Sequence, residues 1–396
     1  MKPLLTLFIV CVIDVLGFGV IVPLIPYIGS RFDASPALIT AILGIHALCQ
    51  LIAAPVWGRL SDRFGRRPIL VFSLAGACVS YAILGFAPDI AWVLASRVLG
   101  GLMAGNISAA MAYASDISTP QDRAKSLGTV GAAIGIGFML GPAVGGFLAG
   151  NDVHSANFIR PAVVSAGLSV VAMLLVAFVL PESLSPEQRA RALDPAHRRS
   201  SPLVLLRQLP GLRRITSASL MMTSAHGMLE SIAALWALKR FGFGPQTVGI
   251  MLFCLAFIAV LFQGGLIRVL VPKFGERRLA MFGVGAYICG LLCVGFSPTF
   301  AFAIGGLVIC GCGIGMWQPS ASALASRQSD AANRGAVMGT FQATSSLARI
   351  IGPGISGPIF GAFGPSAPFL VAVVIAFPAL VLLARGAGDS AIATPP

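Results

Sequence analysis

Apolar runs of about twenty residues, the length a helix needs to cross a hydrocarbon layer, follow one another along almost the whole chain. Read between polar breaks they number twelve: 4–26, 37–57, 69–87, 90–113, 126–149 and 160–180, then 215–238, 247–270, 279–297, 299–324, 336–360 and 366–384. Hydrophobic residues make up 57% of the sequence and charged residues 10%, against about 25% charged in an average soluble domain. A water-soluble fold cannot hide that much apolar surface. The predicted class is an all-α membrane protein of twelve transmembrane helices with the lipid bilayer as solvent. The first run follows Met1-Lys2-Pro3, contains Asp14 and has no small-residue cleavage site, so it reads as a retained span.

The formal net charge of +13 would point to nucleic acid in a soluble protein, but here the basic residues lie between the runs. With the N-terminus placed inside, alternate loops on the inner side hold twenty-one Lys and Arg. The outer loops hold four (Arg31, Arg160, Lys239 and Arg240), and Arg97 and Arg349 fall within spans. Such asymmetry predicts a multi-pass protein of the cell inner (plasma) membrane with both termini cytoplasmic, and it accounts for the charge without a nucleic-acid partner.

The chain also repeats itself. Phe64-Gly65-Arg66-Arg67 returns as Phe274-Gly275-Glu276-Arg277, Asp122-Arg123 with Gly128 as Asn333-Arg334 with Gly339, and Gly141-Pro142 as Gly352-Pro353. All three pairs share an offset of 210 or 211 residues, the mark of a duplication. The predicted halves are 1–180 and 215–396, joined by an Arg-, Pro- and Ser-rich cytoplasmic linker at 181–214. The eight cysteines all sit in apolar runs without CxxC spacing, so they read as small apolar fillers. No metal site, cofactor, nucleotide-binding GxxxxGK[ST] loop or nucleophile constellation stands out, and an enzyme is not expected.

At this level of detail the motifs resemble a known family. Gly58-Arg59-Leu60-Ser61-Asp62-Arg63-Phe64-Gly65-Arg66-Arg67-Pro68 resembles the signature loop between spans two and three of the major facilitator superfamily. Arg97 with Gly100, Gly101 and Gly105 resembles its fourth-span motif. Gly137, Gly141, Pro142, Gly145 and Gly146 resemble the fifth-span antiporter motif of the twelve-span drug:proton antiporter branch. Asp14, followed by Gly17, Pro23 and Pro26, looks like the first span of the tetracycline-efflux class.

The resemblance covers the whole chain. It implies the major facilitator fold, twelve helices in two pseudo-symmetric six-helix bundles, functional as a monomer. It also implies proton-coupled export of small amphipathic, drug- or tetracycline-like compounds by alternating access. A proton-coupled or facilitative metabolite transporter on the same fold stays open as the alternative. The resemblance pairs Asp62, Arg66 and Asp116 in a cytoplasmic gate that also involves Gly58, Arg63, Gly65 and Arg67. The chain departs from the tetracycline class at three positions: Ser80, Ala259 and Tyr287 align where that class carries an acid, a histidine and an acid.

Coupling export to protons needs an acid inside the membrane, because a surface carboxylate does not sense alternation. Of the fourteen acids, Asp33, Asp89 and Asp152 fall in outer loops, and Asp62, Asp122, Glu187, Asp194, Glu276, Asp330 and Asp389 in inner ones. Asp116 and Glu182 sit at cytoplasmic helix ends, which leaves Asp14 and Glu230 near mid-span. An intramembrane acid costs about 2.5–3.5 kcal/mol on insertion scales and usually faces a cavity. Either or both are the candidate proton carriers. His226, four residues before Glu230, shares its helix face and forms either a relay or a packed polar pair. Arg97 always keeps its proton, so it tunes a carboxylate or holds a conformation. His46, Gln50, Asn106, Trp236, Trp317, Gln318 and Arg349 are the candidate substrate-cavity residues, with helix packing or interface anchoring as the competing roles.

Overall fold

A computed structural model of the protein describes residues 2–119, 121–153, 155–184, 202–329 and 333–385. Half of the expected linker, 185–201, and the acids Glu187, Asp194, Asp330 and Asp389 lie outside the described residues. The described residues form helices and no strands. They are α1 Pro3–Ile21, α2 Ile25–Arg31, α3 Pro36–Phe64, α4 Arg66–Gly85, α5 Ile90–Leu102, α6 Asn106–Asp116, α7 Arg123–Ala149 and α8 Ile159–Val179. There follow α9 Pro202–Gln208, α10 Pro210–Phe241, α11 Pro245–Leu261, α12 Ile267–Phe274, α13 Glu276–Gly295, α14 Phe300–Ser326, α15 Arg334–Phe363 and α16 Ala367–Arg385.

Ten of these helical stretches are long and apolar enough to cross a membrane. The two further spans expected from the sequence are α10 and α15, and both are ample in length at 32 and 30 residues. Apolarity is what they lack. α10 carries His226 and Glu230 together with basic ends, and α15 carries Arg349 among Ser, Thr and Gln. Outward-facing side chains elsewhere are apolar, as Phe178 and Phe147 show at 82% and 73% exposure. That inverted pattern, apolar outside and polar within, is what a lipid solvent selects.

Three spans are interrupted: the one formed by α11 and α12 by a π turn at Phe262–Leu266, and the first and fourth by breaks with a local cause. Pro23 and Pro26 lack N–H groups, and the first span passes through a 3-10 turn at Val22–Leu24 between α1 and α2. The fourth span stops at Leu102 and resumes at Asn106. Lipid offers no hydrogen bonds to the freed backbone, so neighbouring helices supply them. The Trp57 indole N–H donates to the Leu102 carbonyl at 2.6 Å. The Ser73 hydroxyl donates to the Met103 carbonyl and accepts from the Gly105 N–H. Trp57 packs so closely on Gly105 that a Cβ there would lie 2.5 Å from its ring.

The chain divides into two compact units, Met1–Arg198 with Ala237–Phe253, and Arg199–Trp236 with Cys254–Pro396. In the first, α1 packs against α7 and α8, α4 against α8, and α3 against α5. The start of α11 joins it because Gly146 meets Pro245 and Gln246, and Pro142 meets Gly249. The Tyr27 hydroxyl also donates to the Phe243 carbonyl at 2.7 Å. In the second unit α13 packs against α14 and α16, α15 against α14 and α16, and α9 rests on α15.

Helix contacts at the fifth-span motif are made backbone to backbone. A Cβ on Gly141 would come within 2.6 Å of Gly19, one on Gly137 within 2.8 Å of Val15, and Gly145 faces the Val20 carbonyl. The duplicated position repeats the device: a Cβ on Gly352 of α15 would lie 2.9 Å from the Met228 nitrogen of α10. Small residues permit such approaches, which replace the hydrophobic drive missing in lipid. Gly141→Val forces α1 and α7 apart. Its expected cost is about 1–3 kcal/mol of stability, read as a lower melting temperature of the purified protein, with Gly131→Val, which meets open space, as the unaffected control.

Candidate functional site

Asp14 lies mid-way along α1, 7% exposed, on a small cavity closed by Cys11, Leu70, Leu74 and Ile134. Its carboxylate accepts a hydrogen bond from the side-chain amide of Asn106. Asn106 is the first residue of α6, so the break in the fourth span brings that amide to the acid. Among the described residues no cation comes within salt-bridge distance of Asp14. The acid is thus held by one neutral donor, an arrangement that accepts either protonation state.

Arg97 of α5 is buried at 2% exposure. Its Nη2 donates to Ser96 Oγ at 3.2 Å, its guanidinium lies 5.8 Å from the Tyr81 ring centre, and among the described residues its Nε has no hydrogen-bond partner. His46 of α3 places Nδ1 3.3 Å from the Arg97 carbonyl and stacks at 5.0 Å on Phe18. Gln50, one turn further along α3, is half-buried. Ser80 spends its hydroxyl on the Ser96 carbonyl at 2.8 Å, a bond between α4 and α5.

The second unit holds a separate polar group. His226 Nε2 lies 3.4 Å from Glu230 Oε1 on α10, and His226 Nδ1 lies 3.1 Å from the Tyr287 hydroxyl of α13. The Arg349 guanidinium donates to Ser346 Oγ at 3.3 Å, and its charge acts on Glu230. Trp236 is shut into packing against Phe369, with ring centres 5.5 Å apart, and Trp317 is equally buried, on a stretch of α14 whose backbone comes close to Gly283. Gln318 is exposed and Ala259 packs against Gly315. The structure therefore gathers Asp14 with Asn106, His46 with Arg97, and His226 with Glu230, while the two tryptophans sit in helix packing.

The loop between α3 and α4 forms a third cluster. Arg66, 8% exposed, reaches Asp62 Oδ1 at 2.6 Å through Nη1 and Asp116 Oδ2 at 2.9 Å through Nε. Nη1 also donates to Ser61 Oγ, and Asp116 accepts from the Ser183 hydroxyl. Gly65 turns the chain with φ 108°, a conformation that favours glycine, and Gly275 repeats it with φ 75°. Arg63 lies over the Phe64 ring, outside this network, and Gly58 faces open space.

Sequence reasoning missed the acid that anchors this loop. Glu182 accepts the Arg66 backbone N–H at 2.8 Å on Oε1 and that of Arg67 at 3.1 Å on Oε2. A carboxylate from beyond α8 thereby caps the N-terminus of α4, where the helix dipole also favours negative charge. Arg67 returns the favour by donating to the Ala177 carbonyl at the C-terminal end of α8. The available signal was Pro181-Glu182 directly after an apolar run.

The duplicated half reuses the scheme with charges exchanged. Glu276, the counterpart of Arg66 at offset 210, pairs with Arg327, the counterpart of Asp116 at offset 211. Arg277 matches Arg67 and caps the end of α16, donating through Nε to the Leu383 carbonyl at 2.8 Å and through Nη2 to that of Ala384 at 2.7 Å. Glu182→Gln keeps the shape but removes the charge from the α4 terminus. The expected loss is about 1 kcal/mol, measured by thermal unfolding in detergent, and Glu182→Asp, which keeps the charge on a shorter stem, should recover part of it.

A model of the Major Facilitator Superfamily matches residues 7–353 and, in a second alignment, 266–394. The tetracycline resistance protein, class C, of Escherichia coli is 31% identical over 394 residues, covering 96% of both chains. Multidrug resistance protein 2 of Bacillus subtilis (strain 168) is 30% identical over 90% of this chain and 89% of its own. Among solved structures, a bacterial homologue of the lysosomal transporter Spinster, inward-facing and occupied, superposes with a TM-score of 0.80 at 15% identity over 98% of each chain. The human organic anion transporter MFSD10 does so with a TM-score of 0.71 at 23% identity, over 96% of this chain and 98% of its own. Helices that bury their charges and bare their apolar faces, together with full-length matches of this kind, establish that the chain belongs to the Major Facilitator Superfamily of membrane transporters.

Proposed function

We propose that this protein is a proton-coupled antiporter that exports small amphipathic compounds by alternating access. It works as a monomer of twelve crossings in the inner membrane, with both termini cytoplasmic and six-helix halves at 1–180 and 215–396. The observation that carries this reading is Asp14: a buried carboxylate in the middle of a spanning helix, held, among the described residues, by the neutral amide of Asn106 alone. Such a group gains and loses a proton without losing its partner, because the amide donates to the anion and the acid hydroxyl can donate to the amide oxygen. The tetracycline and multidrug resistance relatives support export as the direction.

The driving force is adequate. One proton moving inward yields about 2.3 kcal/mol per 100 mV. Each pH unit adds about 1.4 kcal/mol, so one proton sustains a tenfold or larger gradient of a neutral compound. His226 and Glu230 supply a second protonatable pair, and Arg97 a fixed positive charge that biases the first unit. In this reading the Asp62–Arg66–Asp116 cluster is the cytoplasmic gate, since a few partly buried ion pairs shift a two-state equilibrium by several kcal/mol. The Gly137–Gly146 stretch holds its helices tightly enough to prevent a leak.

A second reading has one observation in its favour. The unpartnered Nε of buried Arg97 is a donor suited to an anionic group, which favours a metabolite transporter on the same fold. Transport in inverted vesicles with an imposed pH gradient separates the two: tetracycline and ethidium accumulation marks export, whereas exchange of carboxylated metabolites alone marks the alternative.

In those vesicles Asp14→Asn is expected to leave the protein inserted and folded while lowering pH-driven accumulation at least tenfold. Unchanged coupling in that variant rules Asp14 out as carrier. Asp62→Asn, which takes the charge from one side of Arg66, is expected to abolish transport without loss of protein from the membrane. Normal transport by it removes the gate from the account.

A further inference from the structure

The second unit contains a side chain that no motif marks. Tyr287 of α13 is 0% exposed, yet it turns its one polar atom on His226. The ring of His226 is thereby held at both nitrogens, by the Tyr287 hydroxyl at Nδ1 and by Glu230 at Nε2. Resting on the proton-coupling reading above, we infer that Tyr287 is the positioning residue that lets His226 take up and release a proton inside the membrane with both ring nitrogens partnered throughout.

When the imidazole is neutral, Nε2–H donates to the Glu230 carboxylate and the bare Nδ1 accepts from the Tyr287 O–H. When the imidazole is protonated, Nε2–H still donates to Glu230, and Nδ1–H donates to a lone pair of the same phenol oxygen. The hydroxyl has only to rotate. A side chain that could only donate would leave Nδ1–H unpaired in the charged state, and one that could only accept would leave Nδ1 unpaired in the neutral state. A buried nitrogen without a partner is costly in either case. A hydroxyl serves both states.

The surroundings give the pair a direction. Glu230 is the open end, with 52% of its side chain exposed, and a proton reaches the pair from there. Tyr287 is the closed end. Its backbone carbonyl accepts from Cys310 of α14 at 3.8 Å, and its ring meets His226 edge-on with centres 5.8 Å apart. Among the described residues the groups in contact with the histidine are Glu230 on its own helix and Tyr287 from α13, with Cys310 behind it, while the charge of Arg349 from α15 bears on Glu230 rather than on the ring. Among the described residues no bond leads onward from the phenol oxygen, so in this reading the pair stores a proton rather than conducting it.

Histidine 15N NMR of the purified full chain tests this without a substrate. The chain has four histidines, and His226→Gln identifies the signal of the one in question. In the unaltered protein the neutral ring should show a protonated Nε2 and a hydrogen-bonded Nδ1. Tyr287→Phe removes the partner of Nδ1 in both states, and the loss is larger for the charge-assisted bond of the protonated ring. The Nδ1 resonance should then move to its unbonded position, and the titration midpoint should shift by about one pH unit towards acid, a tenfold change in proton occupancy. Tyr287→Glu places a permanent acceptor there and should shift the midpoint the opposite way. Opposite shifts are a signature that a merely structural tyrosine does not produce. An Nδ1 signal and midpoint that Tyr287→Phe leaves unchanged overturn the inference. Should Tyr287→Glu fail to fold, the Phe variant alone decides it. Vesicle transport by Glu230→Gln keeps the two readings apart: if that variant couples normally while Tyr287→Phe still shifts the histidine, the positioning role stands and the coupling role of the pair falls.

Discussion

A hydrocarbon solvent offers no hydrogen bonds, and this one deficit organises the molecule. Wherever a spanning helix is interrupted, another part of the protein must receive the freed backbone groups. The interruption at 103–105 is the clearest case, with Trp57 and Ser73 serving its carbonyls and its amide. The same interruption begins α6 at Asn106 and so delivers an amide to Asp14. A repair imposed by the solvent thus becomes the holder of a buried acid. Asp14 stays paired there without a counter-ion, and a counter-ion would have fixed its charge.

The deficit also explains why charged side chains cluster at helix ends. Glu182 serves two N–H groups of α4, Arg67 a carbonyl of α8, and Arg277 two carbonyls of α16. Each long charged side chain satisfies backbone that its own helix cannot. The duplicated halves show that this scheme tolerates charge inversion. Arg66–Asp116 and Glu276–Arg327 occupy matching places with signs exchanged. An attraction between the loop and a neighbouring helix end was kept, and which partner carries which sign was not. The second unit has Pro272 where the first has Asp62, so its pair lacks the third member.

Much of the fold was legible because lipid makes it a matter of local composition. Ten spans announce themselves by length and apolarity. α10 and α15 do so less plainly because they carry His226, Glu230 and Arg349, and a helix with that cargo averages a lower hydropathy. The site was legible in part. Asp14 and Glu230 stand out as acids inside apolar runs, and Arg66 lies in a recognisable loop. Glu182 did not stand out, since its role depends on a helix that begins 116 residues earlier. Tyr287 was noticed as a departure from the tetracycline class, but its role was hidden for the same reason, its partner lying 61 residues away. Trp236 and Trp317 show the converse: large aromatics in polar-flanked spans suggest a pocket wall, while both are buried in helix packing, Trp236 against Phe369.

By itself the amino-acid sequence determined the solvent, the class of fold, the duplication and the short list of intramembrane charges. Each of these is a property of composition or period along the chain, and desolvation acts on every residue separately. Only the tertiary structure decided which acid meets an amide, which histidine meets a phenol and which carboxylate caps a distant helix. Hydrogen bonds and close glycine contacts require atoms to meet within about 3 Å, and that proximity comes from how the helices pack against one another. A one-dimensional pattern does not contain it.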